Sequence, residues 1–297
     1  MEGSETKQGK EGTYRKMALT SLSAMVAETT TFPIDMTKTR LQLHQAHSPT
    51  NAFRVASGIV RSQGISGLYQ GLSPAIIRHL FYTPIRVVAY EHLRATMPSN
   101  SLSAKALVGG ISGILAQVVA SPADLVKVRM QAGSSLVGQG LPPRYRGTFD
   151  AFSKIVASEG FWGLWRGVLP NVQRAFLVNI GELACYDQAK HFVVGQKICN
   201  DNIYAHTLAS IMSGLSATTF SCPDDVVKTR MMNQAAGKET RLLYKNSYDC
   251  LVKTVRHEGV MALWKGFFPT WARLGPWQFV FWVSYERFRH IAGLSSF

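Results

Sequence analysis

Pro33-Ile34-Asp35-Met36-Thr37-Lys38-Thr39-Arg40 decides the fold, because it occurs three times. It returns as Pro122-Ala123-Asp124-Leu125-Val126-Lys127-Val128-Arg129 and as Pro223-Asp224-Asp225-Val226-Val227-Lys228-Thr229-Arg230. A second mark follows each copy: Gly64 to Tyr69-Gln70-Gly71, Gly160 to Trp165-Arg166-Gly167, and Gly259 to Trp264-Lys265-Gly266. A third closes each unit: Tyr90-Glu91 with Arg94, Tyr186-Asp187 with Lys190, and Tyr285-Glu286 with Arg289. Ordered marks recurring in this way define tandem repeats. The units run 14–98, 103–195 and 204–291, after a polar tail at 1–13.

Each unit reads as two long helical segments joined by a polar connection. The first segments, 14–42, 104–131 and 204–232, are rich in small residues, as in Gly109 with Gly113 and Ser210 with Gly214, a spacing that lets helices approach closely in lipid. The second segments, 73–95, 172–193 and 271–291, break an apolar run with periodic charge. Six such helices predict lipid outside and a polar cavity inside. This explains why the mean hydropathy is only +0.02 and why no clean 20-residue apolar span stands out. The connections carry a short helical pattern, Phe149 to Ser158 and Tyr248 to His257, and many Lys and Arg. The positive-inside tendency puts all three on one face and both termini on the other.

Composition narrows the classes. The chain has 297 residues, with 32 Lys+Arg against 18 Asp+Glu, a net charge of +14. That suits nucleic acid, anionic lipid or anionic solutes, but no basic run or interleaved aromatic patch supports nucleic acid. The acid-containing first dozen residues resemble neither a secretory signal nor a mitochondrial presequence, so no cleavable presequence is expected. Cys185, Cys199, Cys222 and Cys250 lack metal or disulfide-framework spacing and read as reduced packing residues. No nucleophile-base pair, ligand cluster or phosphate loop appears, so neither an enzyme nor a metal or other cofactor is expected. A soluble helical-repeat scaffold, its polar interruptions facing water, is the reading from another class.

The three Pro-x-Asp-x-x-Lys marks together resemble the mitochondrial carrier family. Arg78-His79, Arg174, Arg273 to Trp277 and Tyr90 to Arg94 look most like its uncoupling-protein branch, especially the brain-type and plant members. The resemblance covers Tyr14 to Ile291. It implies an all-α membrane protein of six transmembrane helices with pseudo-threefold symmetry and short matrix helices between paired spans. It implies a multi-pass protein of the mitochondrial inner membrane with both termini toward the intermembrane space, acting as a monomer, with cardiolipin on the matrix side.

Asp35 and Lys38 fall on one helical face, as do Asp124 and Lys127, and Asp225 and Lys228. Around a threefold axis these can close a ring in which each base reaches the next repeat's acid: Lys38 to Asp124, Lys127 to Asp225, Lys228 to Asp35. The resemblance implies that this is the matrix gate; the alternative is three separate surface pairs. Tyr90, Glu91, Arg94, Tyr186, Asp187, Lys190, Tyr285, Glu286 and Arg289 look like the cytoplasmic gate, and two rings forming in turn give alternating access. Pro33, Pro122 and Pro223 are expected to kink the odd helices.

Between the gates, Arg78, Arg174 and Arg273 each follow a proline by four residues. Converging guanidiniums call for an anion and suit carboxylate or phosphate; the alternative is that they pair with local acids or snorkel. The resemblance matches them to substrate contacts and a purine-nucleotide site, with Trp277 and Glu182 nearby. Arg86 aligns with Glu182 and Phe281, an asymmetry that suits an Arg86–Glu182 pair and substrate choice. Glu28 stands where the resemblance implies an acid involved with protons or fatty acids; the other reading is an ordinary cavity-lining carboxylate. Gln63 replaces the acid that Glu159 and Glu258 supply, which weakens one connection. Arg144-Tyr145-Arg146 replaces a histidine pair of the thermogenic member. The function expected is regulated proton leak, fatty-acid dependent and purine-nucleotide inhibited, uncoupling oxidative phosphorylation. The alternative is exchange of small anions such as dicarboxylates, sulfate, phosphate or amino-acid anions.

Overall fold

The computed structural model describes residues 2–43, 51–96, 102–138, 142–172, 203–234 and 243–292, and among them every regular element is helical. Three long helices carry the proline motifs: α1 (Glu2–Leu43), α4 (Leu102–Gly138) and α6 (Ile203–Asn233). The connections hold α2 (Ala52–Gln63), α5 (Thr148–Glu159) and α7 (Ser247–Glu258), within a residue of the expected patterns where these were read. The even helices are α3 (Leu72–Thr96) and α8 (Phe267–Ile291). Most of the middle one, expected at 172–193, lies outside the described residues. The stretch expected as a polar tail is helical from Glu2 and continuous with α1.

The neighbours in sequence and in space form a ring. Helix α3 packs along both α1 and α4, and α8 packs along both α6 and α1, so the last described helix meets the first. Helices α1, α4 and α6 also touch one another on the inside. The buried stripe of α1 runs Met17, Ser21, Ala24, Glu28, Thr31 and Asp35, at the three-and-four spacing of one helical face. Two of its members are carboxylates, so this face looks onto charge and not onto hydrocarbon.

Among the described elements, close packing of α4 uses other residues than the glycine pair. Val108, Ser112, Ala116 and Ala120, four apart, are all buried, whereas a Cβ at Gly109 or Gly113 would meet no described atom within 4 Å. The i, i+4 column of small side chains supplies the approach among the described elements. One stretch of them, Val108–Ser134, is long and apolar enough to cross a membrane, with a mean hydropathy of 1.4.

Each motif proline sits inside a continuous helix and cannot donate to the carbonyl four residues back. Two of those carbonyls find another donor. Trp165 Nε1 donates to the Val118 carbonyl at 2.9 Å and Trp264 Nε1 to the Thr219 carbonyl at 3.1 Å. Both carbonyls stand four residues before Pro122 and Pro223, so the aromatic of the second mark closes the gap that the proline of the first mark opens. In the first repeat the aromatic is Tyr69, which stacks on Phe32 with ring centroids 6.3 Å apart. The glycine after each of these turns has positive φ, and at Gly167 (φ 98) a Cβ would stand 2.7 Å from Met232 Cγ. A side chain there is disfavoured on both counts.

Beneath the turns of the second and third repeats an arginine and an acid link the long helix to the connection helix. Glu159 accepts from Arg129 at 2.5 and 3.0 Å and from Arg166 at 3.2 Å. Glu258 accepts from Arg230 at 2.6 and 2.9 Å and from Lys265 at 2.6 Å. In the first repeat Arg40 donates to the Ser134 hydroxyl and Gln63 Nε2 to the Ser134 carbonyl. Arg40 Nε and Gln63 Oε1 are buried without a hydrogen-bond partner. The weaker connection expected at Gln63 therefore has a concrete form: Arg40 and a neutral amide meet only through Ser134, with no carboxylate on the guanidinium among the described contacts.

Candidate functional site

The charges of the proline motifs meet where α1, α4 and α6 converge. Lys38 pairs with Asp225 at 2.7 Å, Lys127 with Asp35 at 2.7 Å, and Lys228 with Asp124 at 3.8 Å. The ring exists, but its sense is the reverse of the one expected. Each base reaches the acid of the preceding repeat around the ring, not the following one, since three acids and three bases close a cycle equally well in either direction. The helix order cannot choose between the two; the tilt and rotation of the helices do.

Two glutamines complete the acids. Gln131 Nε2 donates to Asp35 Oδ2 at 3.2 Å, and Gln117 Nε2 to Asp124 Oδ2 at 2.8 Å. Neither was singled out from the sequence, although Gln117 had a signal: it stands five residues before Pro122, as Glu28 stands before Pro33.

Two of the three central arginines take part in this network. Arg273 donates to Asp35 Oδ1 through Nη1 and to Glu28 Oε2 through Nη2, the latter at 2.7 Å. Arg78 Nε lies 3.2 Å from Asp124 Oδ1, and its guanidinium stands 5.3 Å from the Tyr82 ring centre. The repulsion that called for an anion is therefore relieved here by gate carboxylates, the reading in which the arginines pair with local acids. Arg174 lies outside the described residues, as do Glu182, Tyr186, Asp187 and Lys190.

Glu28 is the most enclosed member, with its side chain 3% exposed. Oε1 accepts from Lys127 at 2.9 Å, while Oε2, on Arg273, also stands 3.6 Å from His79 Nε2. Glu28 thus touches groups from α3, α4 and α8 at once. Lys127 bridges Glu28 and Asp35, and its ammonium lies 5.4 Å from the Phe32 ring centre.

At the other end of the bundle Glu91, Arg94 and Glu286 are exposed. Tyr285 carries Arg289 over its ring at 5.9 Å. Trp277, Phe281 and Tyr285, four residues apart on α8, stack with centroids 5.3 and 6.0 Å apart and planes within 8°. Phe281, singled out as the apolar partner of Arg86 and Glu182, is the middle rung of that ladder. Arg86 is exposed. Beside the C-terminal half of α4, a cavity of about 240 Å³ is lined by Gln70, Met130, Ser134, Arg144, Tyr145 and Arg146, among others.

Comparisons with known proteins bear on this arrangement. The family described as mitochondrial carrier protein matches residues 9–101, 98–197 and 200–295, one match per repeat. Mitochondrial uncoupling protein 3 of Arabidopsis thaliana is 66% identical over 98% of each chain. The mitochondrial substrate carrier family protein ucpB of Dictyostelium discoideum is 38% identical over 94% of this chain and 96% of its own. Kidney mitochondrial carrier protein 1 of Xenopus laevis is 36% identical, over 91% and 95%.

Proposed function

Since this chain belongs to the mitochondrial carrier family, whose members are transporters and not enzymes, we propose that it is a carrier of the uncoupling type that leaks protons in a regulated way. The protein is a multi-pass protein of the mitochondrial inner membrane. Fatty-acid anions support the leak in this reading, purine nucleotides inhibit it, and alternating access around Arg78, Arg174 and Arg273 carries it out. The observation that carries the reading is the interlocked charge network, in which the gate acids and the central arginines are one system. Breaking one buried ion pair by removing a partner costs about 3–5 kcal/mol. An anionic solute that binds the arginines competes with the gate acids for them, and so couples its own binding to the opening of the ring.

A second reading is favoured by the same contacts. Arg78 and Arg273 sit on carboxylates, so the site accepts anions of that chemistry, and exchange of dicarboxylates, sulfate or phosphate follows. The closed ring of proline-motif charges and the exposed acids and bases at the far end support a conformation open toward the intermembrane space, where both termini lie. A ring completed within one chain supports a monomer. The cavity beside Arg144 and Arg146 suits the phosphates of cardiolipin on the matrix side.

Reconstitution tests both readings. Liposomes holding the purified chain are assayed for proton flux with and without fatty acid and with purine nucleotide, beside counter-exchange of labelled sulfate, phosphate and malonate. Fatty-acid-dependent proton flux that nucleotide suppresses is the expected result. Counter-exchange without proton flux overturns the first reading in favour of the second.

A further inference from the structure

Gate residues recur in every repeat because each repeat performs the same closure. A residue that only one repeat has is not needed for that closure. Counting from the motif prolines, Glu28 corresponds to Gln117 and Thr218, and His79 corresponds to Ala175 and Leu274. The two ionisable residues that break the symmetry here belong to the same repeat, and they stand 3.6 Å apart, each buried.

We propose that the Glu28 carboxylate is a built-in competitor, which occupies Arg273 in the resting carrier so that an incoming anion must displace it. Glu28 thereby sets how tightly the site takes anions. This rests on the reading of Arg273 as an anion-binding residue. Four observations support it. The ring does not need Glu28, because Lys127 keeps Asp35 at 2.7 Å without it. Lys127 and Arg273 are already matched by Glu28 and Asp35, so loss of the Glu28 charge leaves those two bases with a single carboxylate and strengthens their attraction for an anion. The contact on Arg273 is made by one oxygen, Oε2, while Oε1 stays on Lys127 at 2.9 Å. Finally, His79 Nε2 is buried without a hydrogen-bond partner and faces that same Oε2. A shift of well under an ångström brings Oε2 within about 3 Å of His79 as Arg273 turns to an anion. The displaced carboxylate then keeps Lys127 and gains a neighbour, and is not left buried without a partner.

The test uses the full chain in detergent, titrated with sulfate, the apparent Kd being read from the rise in unfolding temperature. Glu28→Gln removes the competing charge and leaves the ring pairs in place; its Kd for sulfate is expected to fall at least tenfold. Glu28→Asp, one methylene shorter, holds Lys127 or Arg273 but not both, and is expected to lower Kd several-fold. An unchanged or raised Kd in Glu28→Gln overturns the proposal, and the same result in Glu28→Asp does so if the amide variant fails to fold. Arg273→Gln, measured in parallel, separates the two levels. Wild-type sulfate affinity in Arg273→Gln removes the anion-site reading and the proposal with it. Loss of affinity there, with Glu28→Gln unchanged, removes the proposal alone.

Discussion

Gln63→Glu gives Arg40 the carboxylate that Arg129 and Arg230 already have. In the second and third repeats the equivalent acid accepts two hydrogen bonds from its arginine at 2.5 to 3.0 Å. In the first, Arg40 Nε and Gln63 Oε1 are both buried and unsatisfied. A hydrogen bond to a charged group contributes about 1.5–3 kcal/mol, and giving up the bond from Gln63 Nε2 to the Ser134 carbonyl loses about 1. The net gain is about 1–2 kcal/mol, which for a chain of this size raises the unfolding temperature by about 2–8 °C. The assay is thermal unfolding of the purified protein in detergent with a thiol-reactive dye, because the thiols of Cys222 and Cys250 are buried in the fold. An unfolding temperature equal to or below that of the unmodified chain would refute the account of Gln63 as a missing counter-charge.

The remaining predictions concern the same framework. The double exchange Lys38→Asp with Asp225→Lys is expected to restore transport lost in either single variant, whereas Lys38→Asp with Asp124→Lys is not; rescue by the second pair alone would show the ring to run in the opposite sense. Trp165→Phe leaves the Val118 carbonyl without a donor and is expected to cost about 1–3 kcal/mol, read as a lowered unfolding temperature. Gly167→Ala forces a side chain into positive φ and against Met232 Cγ, and is expected to cost at least about 1–3 kcal/mol by the same measurement. Burial pushes the Glu258 carboxyl up, but Arg230 and Lys265 outweigh it and hold it below the ordinary range. Its contribution to stability is therefore fully present above the unfolded value, about 4.3, and is lost as pH falls through the folded one. Glu258→Gln is expected to flatten that acid limb.

The architecture was legible because its signals repeat. A motif of proline, acid and base at fixed spacing locates three helices, and the charge-rich connections locate the short helices to within a residue. The site was legible as a roster and not as a wiring diagram. Asp35, Lys127, Arg273 and Glu28 were all singled out and the fold brings them together, yet which oxygen meets which nitrogen depends on helix rotation, and the ring came out with the opposite sense. Gly109 and Gly113 were assigned to close packing by spacing alone; among the described elements the buried small residues of α4 are Ser112 and Ala116, on the neighbouring face, while most of the even helix expected at 172–193 lies outside the described residues. The tie between Trp165 and the carbonyl that Pro122 leaves open was hidden because its two ends are marks of different kinds.

The meeting of α1 with α8 places a seam between the first and the last described helices, and charge stitches it, since Arg273 reaches Glu28 and Asp35. More than two hundred residues separate the two sides, so this closure is the most non-local event in folding, and loop entropy delays such contacts. Until α8 arrives, Glu28 and Asp35 share the single ammonium of Lys127. A chain arrested before Phe267 would therefore hold an excess of buried negative charge on α1, a state distinguishable from the finished protein by the exposure of that helix to protease.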